Sequence, residues 1–300
     1  MGKTFDPTNG LREDIMRLLK RVHIIIVVCV IVFSYGLAHA GDFKIAIMQD
    51  EPGAGKKYRP LQTYLANRGV EISFISATNY PAAADMFASG KVDAMFSGSA
   101  IAGIFIMKDL AAPMVRPVSK EGYSTYSAVM IAPKGSPKFS GNAAYFKGKK
   151  VIFSALASSG EVYYRSLPNI RSVNATLQKA ASHGAAIDAL SAGVADVAIV
   201  KNRVWDHQKS KYPNLIVVGQ DDEENPDNTL IFSRKADSPT VSKVQSALLS
   251  LKDDNSPQAR AVRDEMQIRG FIATTKADFK HTMELLRRAG VDKSFNFQFK

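Results

Sequence analysis

Two stretches about a hundred residues apart repeat one pattern, and the repeat limits what this chain can fold into. The first reads Phe87-Ala88-Ser89-Gly90-Lys91-Val92-Asp93-Ala94, the second Leu190-Ser191-Ala192-Gly193-Val194-Ala195-Asp196-Val197. In each, an apolar-periodic helix runs into a glycine, the residue best able to take the left-handed turn that ends a helix. An aspartate follows three residues later, and a short apolar strand begins. A helix that stops and feeds a buried strand is half of a βαβ unit. One such junction suits any α/β protein. Two of them imply two similar α/β lobes, and a cleft between lobes is where small ligands bind.

The N-terminus suggests export. Arg17, Lys20 and Arg21 precede an apolar run from Ile24 to Phe33, which ends in the small-x-small pattern Ala38-His39-Ala40. The run is short for a bilayer span, which needs roughly 20 apolar residues. The reading is a signal peptide over residues 1–40, cut after Ala40, and a periplasmic product. An uncleaved membrane anchor is the alternative, and a start at Met16 instead of Met1 would give a more ordinary leader. Without residues 1–40 the chain has no cysteine, hence no disulfide and no thiolate metal site. It also loses five basic and three acidic residues, which lowers the net charge from +11 to +9. That balance favours anionic partners. The lysines are dispersed without interleaved aromatics, so nucleic acid is not expected.

From Asp42 strands and helices alternate. Strands are predicted at 43–48, 70–77, 92–98, 129–132, 150–155, 194–200, 215–218 and 229–233. Helices are predicted at 59–67, 81–89, 99–108, 160–167, 184–192, 203–211, 240–251, 257–269 and 276–289. Punctuation at Pro133-Lys134-Gly135-Ser136-Pro137 and Asn225-Pro226-Asp227-Asn228 suggests a crossing between lobes near each. The expected division is 42–126 with 226–300 as one lobe and 127–225 as the other.

Five short motifs in order resemble the periplasmic phosphonate-binding components of ABC importers, a branch of the type II solute-binding proteins. Tyr58 to Leu65 is similar to the family's first helix, and Asn79-Tyr80 with Gly90-Lys91-Val92-Asp93 to its Asp-Tyr helix and Val-Asp strand. Gly122 to Ile131 with Lys134-Gly135-Ser136-Pro137 resembles its crossover strand and turn. Ala157-Ser158-Ser159-Gly160 resembles its Ser-Thr-Ser-Gly ligand loop, and Ser182-His183 with Ala185 to Leu190 its Gly-His helix. The resemblance implies a two-lobed type II fold with two crossovers and a small phosphoryl oxyanion (phosphonate, phosphite or phosphate) in the cleft. An ABC permease is the implied partner, and a monomer the implied state. The chemistry agrees: Ser158-Ser159-Gly160 opens a helix, where unpaired N–H groups and the helix dipole suit an oxyanion. An ordinary serine cap has the same sequence. Glycine at 160 leaves room for close backbone approach. Ala157 lacks one of the family's hydroxyls.

By the same resemblance Tyr80, Tyr126 and His183 are ligand contacts, since phenols and imidazole donate without fixed charge. Ser99, at the carboxyl end of a strand, is placed beside them. Two departures stand out. Family members that take aminoalkylphosphonates hold the ammonium with carboxylates, and spacing puts Arg203 and Asn228 at such positions here. Arg203 would repel an ammonium, although Glu161 and Asp206 stand near enough to replace it. An amine-free ligand is expected.

No enzyme is expected. Gly53-Ala54-Gly55-Lys56 lacks the remaining parts of a P-loop. His183, His207 and His281 lack zinc-ligand spacing, no Gly-x-Ser-x-Gly elbow occurs, and no cofactor or metal is implied. A periplasmic sensor or adaptor, partnered by a sensor kinase or cyclase, would use the same fold. A carboxylate or sulfonate is the alternative ligand class.

Overall fold

The computed structural model describes residues 42–48, 54–78, 80–154, 158–297 and 299. The leader, its cleavage point and Ala157 therefore lie outside the described residues. Residues 42–300 form one compact unit containing two main sheets.

From edge to edge the first sheet runs Ile268–Ala273, Ala111–Ser119, Thr229–Ser233, Ala94–Ser97, Phe43–Met48 and Ile72–Ala77. Phe43–Met48 is parallel to both of its neighbours, and the remaining pairings are antiparallel. The second sheet runs Leu215–Gln220, Ala128–Pro133, Val197–Lys201, Lys150–Ser154 and Thr176–Ala180. Lys150–Ser154 is likewise parallel to both neighbours, and antiparallel strands complete the other side. Each sheet thus has the same parallel heart, and its strands are buried apolar runs because helices cover both faces.

The repeated junction is the same device in both sheets. Gly90 and Gly193 take φ of 72° and 74°. The amides that follow turn back onto the helices, Lys91 to the Met86 carbonyl and Val194 to the Ala189 carbonyl, which satisfies carbonyls the helix ends would leave bare. Asp93 then accepts from the Lys44 amide at 2.9 Å, and Asp196 accepts from the Lys150 amide at 2.7 Å. The aspartate therefore pins the start of the central parallel strand to its neighbour.

The chain leaves the first sheet after Ser119 and enters the second at Ala128; it returns between Gln220 and Thr229. The two crossing segments pair with each other, Tyr126 with Asn225 and Thr125 with Pro226. The outward crossing therefore precedes Pro133–Pro137, which is a turn at the end of a second-sheet strand. The helix Lys280–Arg288 packs on both Ser99–Met107 and Ser159–Ser166. It fits because position 103 is glycine: a Cβ there would meet Leu286 Cδ1 at 2.8 Å and Thr282 Cγ2 at 2.9 Å.

Three strands differ from expectation. Ala111–Ser119 carries Pro113 and Pro117, which argue against a central strand. Both of its neighbours are bulged against it, and this irregularity accommodates the prolines. Thr176–Ala180 is a largely polar edge strand. The helix expected over 257–269 stops at Glu265, and Ile268–Ala273 joins the sheet through Gln267 at φ 53°.

Asp93→Ala and Asp196→Ala should each lower stability by about 1 kcal/mol, the loss of one backbone hydrogen bond. The sites share no partner, so the double variant should lose about 2 kcal/mol in urea unfolding. An unchanged midpoint would mean that these bonds do not hold the strands.

Candidate functional site

Three helices begin at one small cavity of about 20 Å³, room for about one water molecule. Their first residues, Ser99, Ser159 and His183, all line it. Each helix follows a βα turn in the chain, so the cavity lies at the carboxyl ends of the parallel strands, where α/β proteins bind ligands. The N-terminal ends of helices carry partial positive charge and unpaired N–H groups. The convergence of three makes an anion cradle.

Tyr126, from the outward crossing, is fully buried, and its hydroxyl lies 2.5 Å from Ser99 Oγ. Burial raises the phenol pKa; the Lys201 ammonium and hydrogen bonds from Ser159 and Ser99 oppose this without cancelling it. The phenol therefore keeps its proton and can donate. Ser158 Oγ caps its helix by accepting from the Glu161 amide at 3.3 Å, which leaves its own proton for a ligand.

His183 Nε2 lies 3.5 Å from Ser154 Oγ, and Nδ1 is buried without a hydrogen-bond partner. Burial, aided by the Lys201 ammonium, pushes the ring down to about 3. It is neutral at working pH, with one N–H to donate.

The cavity gathers Ser99, Tyr126, Ser158, Ser159 and His183 from the expected set. Gly160 does not line it. A Cβ on Gly160 would lie 2.3 Å from the Ile199 carbonyl oxygen, so the close approach is helix to strand. Tyr80 begins the helix Tyr80–Ala88, and its side chain lies outside the described residues.

Arg203 is turned elsewhere. Its guanidinium pairs with Glu224 at 2.9 Å, donates to the Thr125 carbonyl at 3.1 Å and lies 3.8 Å from the centre of the Tyr123 ring. Asn228 sits in the turn after the return crossing at φ 42°, a conformation asparagine tolerates. Neither lines the cavity. Glu161 and Asp206 are held by Arg165 and Lys209.

Sequence reasoning missed Lys201. It ends the strand Val197–Lys201, lines the cavity, and pairs with Asp227 through Nζ and Oδ1 at 2.5 Å. Its ammonium also lies 4.4 Å from the Tyr126 ring centre. Among the described residues it is the one charged side chain lining the cavity. The available signal was a lone cation closing a buried apolar strand, next to the Asp227 of a punctuated loop.

The sequence profile of the phosphonate-binding periplasmic substrate-binding proteins of ABC transporters matches residues 43–279. The chain belongs to this family. Family members are periplasmic binding proteins that take small phosphonates and work with ABC permeases. Similar solved structures include PhnD1 from Prochlorococcus marinus in complex with methylphosphonate, at TM-score 0.68 and 17% identity over 84% of this chain and 99% of that one. A binding-protein component of the ABC phosphonate transporter of Pseudomonas aeruginosa matches at TM-score 0.67 and 17% identity, over 85% and 89%. A Xanthomonas citri protein bound to chloride ion matches at TM-score 0.69 and 15% identity, over 83% and 97%. These likenesses carry the fold, the two-lobed type II architecture. A comparison with curated protein sequences finds no match. Among the described residues no helix is long and apolar enough to cross a membrane.

The shielding of His183 gives a pH signature. An unfolded histidine titrates near 6.5 and the folded ring near 3. Between those values the unfolded chain binds the extra proton, so stability is lost as pH falls through that window and is full above it. His183→Asn should therefore show a smaller drop in melting temperature between about pH 7 and pH 4 than the parent. Equal drops in calorimetry would mean that the ring is not shielded.

Proposed function

We propose that the chain is exported, cut after Ala40, and acts as a monomer that captures a small phosphoryl oxyanion without an ammonium group for an ABC importer. The observation that carries this reading is a small cavity where three helix N-termini meet and whose one lining charge is Lys201. In it the oxyanion accepts from the backbone at Ser99 and Ser159, from the Ser158 hydroxyl, the Tyr126 phenol and neutral His183. The lobes, about 42–126 with 226–300 and 127–225, close over it by bending at the paired crossings.

Discrimination against amines comes from Lys201 and Asp227, not from Arg203 and Asn228. The Lys201 ammonium already occupies Asp227, so an aminoalkyl ligand would bring a second cation beside it and desolvate it without a partner. Two like charges a few ångströms apart in a water-poor site repel strongly.

Calorimetric titration tests the reading with phosphate, phosphite, methylphosphonate and 2-aminoethylphosphonate. At least one of the first three should bind tenfold or more tighter than the last. Ser159→Ala with Tyr126→Phe removes two donors to an anion, each worth roughly 1.5–3 kcal/mol, and should weaken binding about a hundredfold or more. Lys201→Met releases Asp227 and should move the relative preference toward 2-aminoethylphosphonate. Unchanged affinity in the folded double variant would put the anion elsewhere. A parent preference for the amine would defeat the Lys201 argument.

A further inference from the structure

The helix Lys280–Arg288 is joined to the return crossing by two side-chain bonds. Thr282 Oγ1 donates to Asn225 Oδ1 at 2.6 Å, and His281 Nε2 lies 2.9 Å from Asp221 Oδ2. His281 is 8% exposed, and its other ring nitrogen, Nδ1, is buried with no hydrogen-bond partner. Nδ1 faces Glu223, whose Oε1 is 3.5 Å away, too long for a good hydrogen bond. Glu284 follows His281 by three residues, on the same helix face. One ligand atom each from Glu223, His281 and Glu284 lie within 4.8 Å of one another.

The chemistry of this cluster asks for a cation. With Asp221 accepting from Nε2–H, the neutral ring leaves a bare lone pair on Nδ1, 3.5 Å from Glu223 Oε1. A carboxylate that orients a ligating histidine through its far nitrogen is the usual second layer of a metal site. Ligands about 2.0–2.2 Å from a tetrahedral ion stand about 3.4 Å apart, close to the Nδ1–Oε1 separation of 3.5 Å. Imidazole with two carboxylates suits a borderline divalent ion better than Mg²⁺, which favours oxygen and water. The Asp221, Glu223 and Glu284 carboxylates surround the ring with negative charge, which also favours its protonation, so a metal ion competes with a proton for Nδ1. The same negative field attracts a metal ion. The carboxylate side chains of Glu223 and Glu284 are partly open, which gives an entry path and room for water as a fourth ligand.

We propose that His281 Nδ1, Glu223 and Glu284 bind one divalent transition-metal ion of the Zn²⁺ class, clamping the return crossing to the helix that packs on both Ser99–Met107 and Ser159–Ser166. The proposal does not rest on the identity of the cleft ligand. Titration of ZnCl₂ into EDTA-treated, tag-free protein at mildly alkaline pH should give one site of micromolar or tighter affinity and raise the melting temperature. MgCl₂ should do neither. Glu223→Gln and Glu284→Gln should each weaken Zn²⁺ binding about tenfold or more, and Asp221→Asn about 10–100-fold through loss of ring orientation. His281→Gln also breaks the Asp221 bond, so the two glutamate variants, altered at partly open positions, carry the test. No saturable Zn²⁺ heat, equal binding of Mg²⁺, or parent-like Zn²⁺ affinity in the double glutamine variant would overturn the proposal.

Discussion

Tyr126 ties the two halves of this molecule to one cavity. Tyr126 lies in the outward crossing, opposite Asn225 of the return crossing. Its phenol meets Ser99, which opens a helix of the first sheet, and it lines the same cavity as Ser159, which opens a helix of the second. A phenol offers one proton and two lone pairs, so it can accept from Ser99 and still donate to an anion. Ser99 is the first residue of its helix, so this bond fixes that helix N-terminus against the crossing. The Lys201 ammonium near the ring adds about 0.5–2 kcal/mol of cation–π attraction. Crossing, helix N-terminus and ammonium thus meet at one fully buried side chain.

Much of the architecture was legible because it rests on local rules. A left-handed glycine and a strand-pinning aspartate have one spacing wherever the same junction recurs, so Gly90–Asp93 and Gly193–Asp196 could be read without knowing their partners. What was missed depends on distant strands. Pro113 and Pro117 argue locally against a strand, and only the bulged neighbours 229–233 and 268–273 make one possible. The outward crossing over 120–127 carries no proline and one glycine, Gly122, whereas the better punctuated Pro133–Pro137 lies inside one sheet.

The site divides in the same way. Ser158 and Ser159 declare themselves as helix-opening residues, and His183 follows its cap Ser182. Arg203 and Asn228 were placed by counting residues, and a count fixes position along the chain but not direction. Arg203 turns to Glu224 and the Thr125 carbonyl, while Asn228 serves a left-handed turn. Lys201 lies just past the strand expected over 194–200 and went unremarked, because its partner Asp227 arrives from a loop 26 residues on. The cluster around His281 was hidden for a related reason. A search for spaced histidines finds one ring there, and the Glu223 carboxylate comes from another segment altogether.

The electrostatics explain how such a site can hold an anion without an arginine. Each helix N-terminus is worth about half a positive charge, so three supply about 1.5 charges, about three-quarters of what a phosphonate dianion carries. These dipoles are built into the fold and need no counterion when the cavity is empty. A bare buried cation would cost several kcal/mol to desolvate, and here that cost is offset by the Lys201–Asp227 pair. His183 adds a donor and no charge. The dispersed net charge of +11 over the whole chain can steer anions to the surface but cannot choose among them. Steering and choice are thus separate: the surface charge bears on how often an anion arrives, and under the proposed reading the uncharged donors and the occupied Asp227 choose among them.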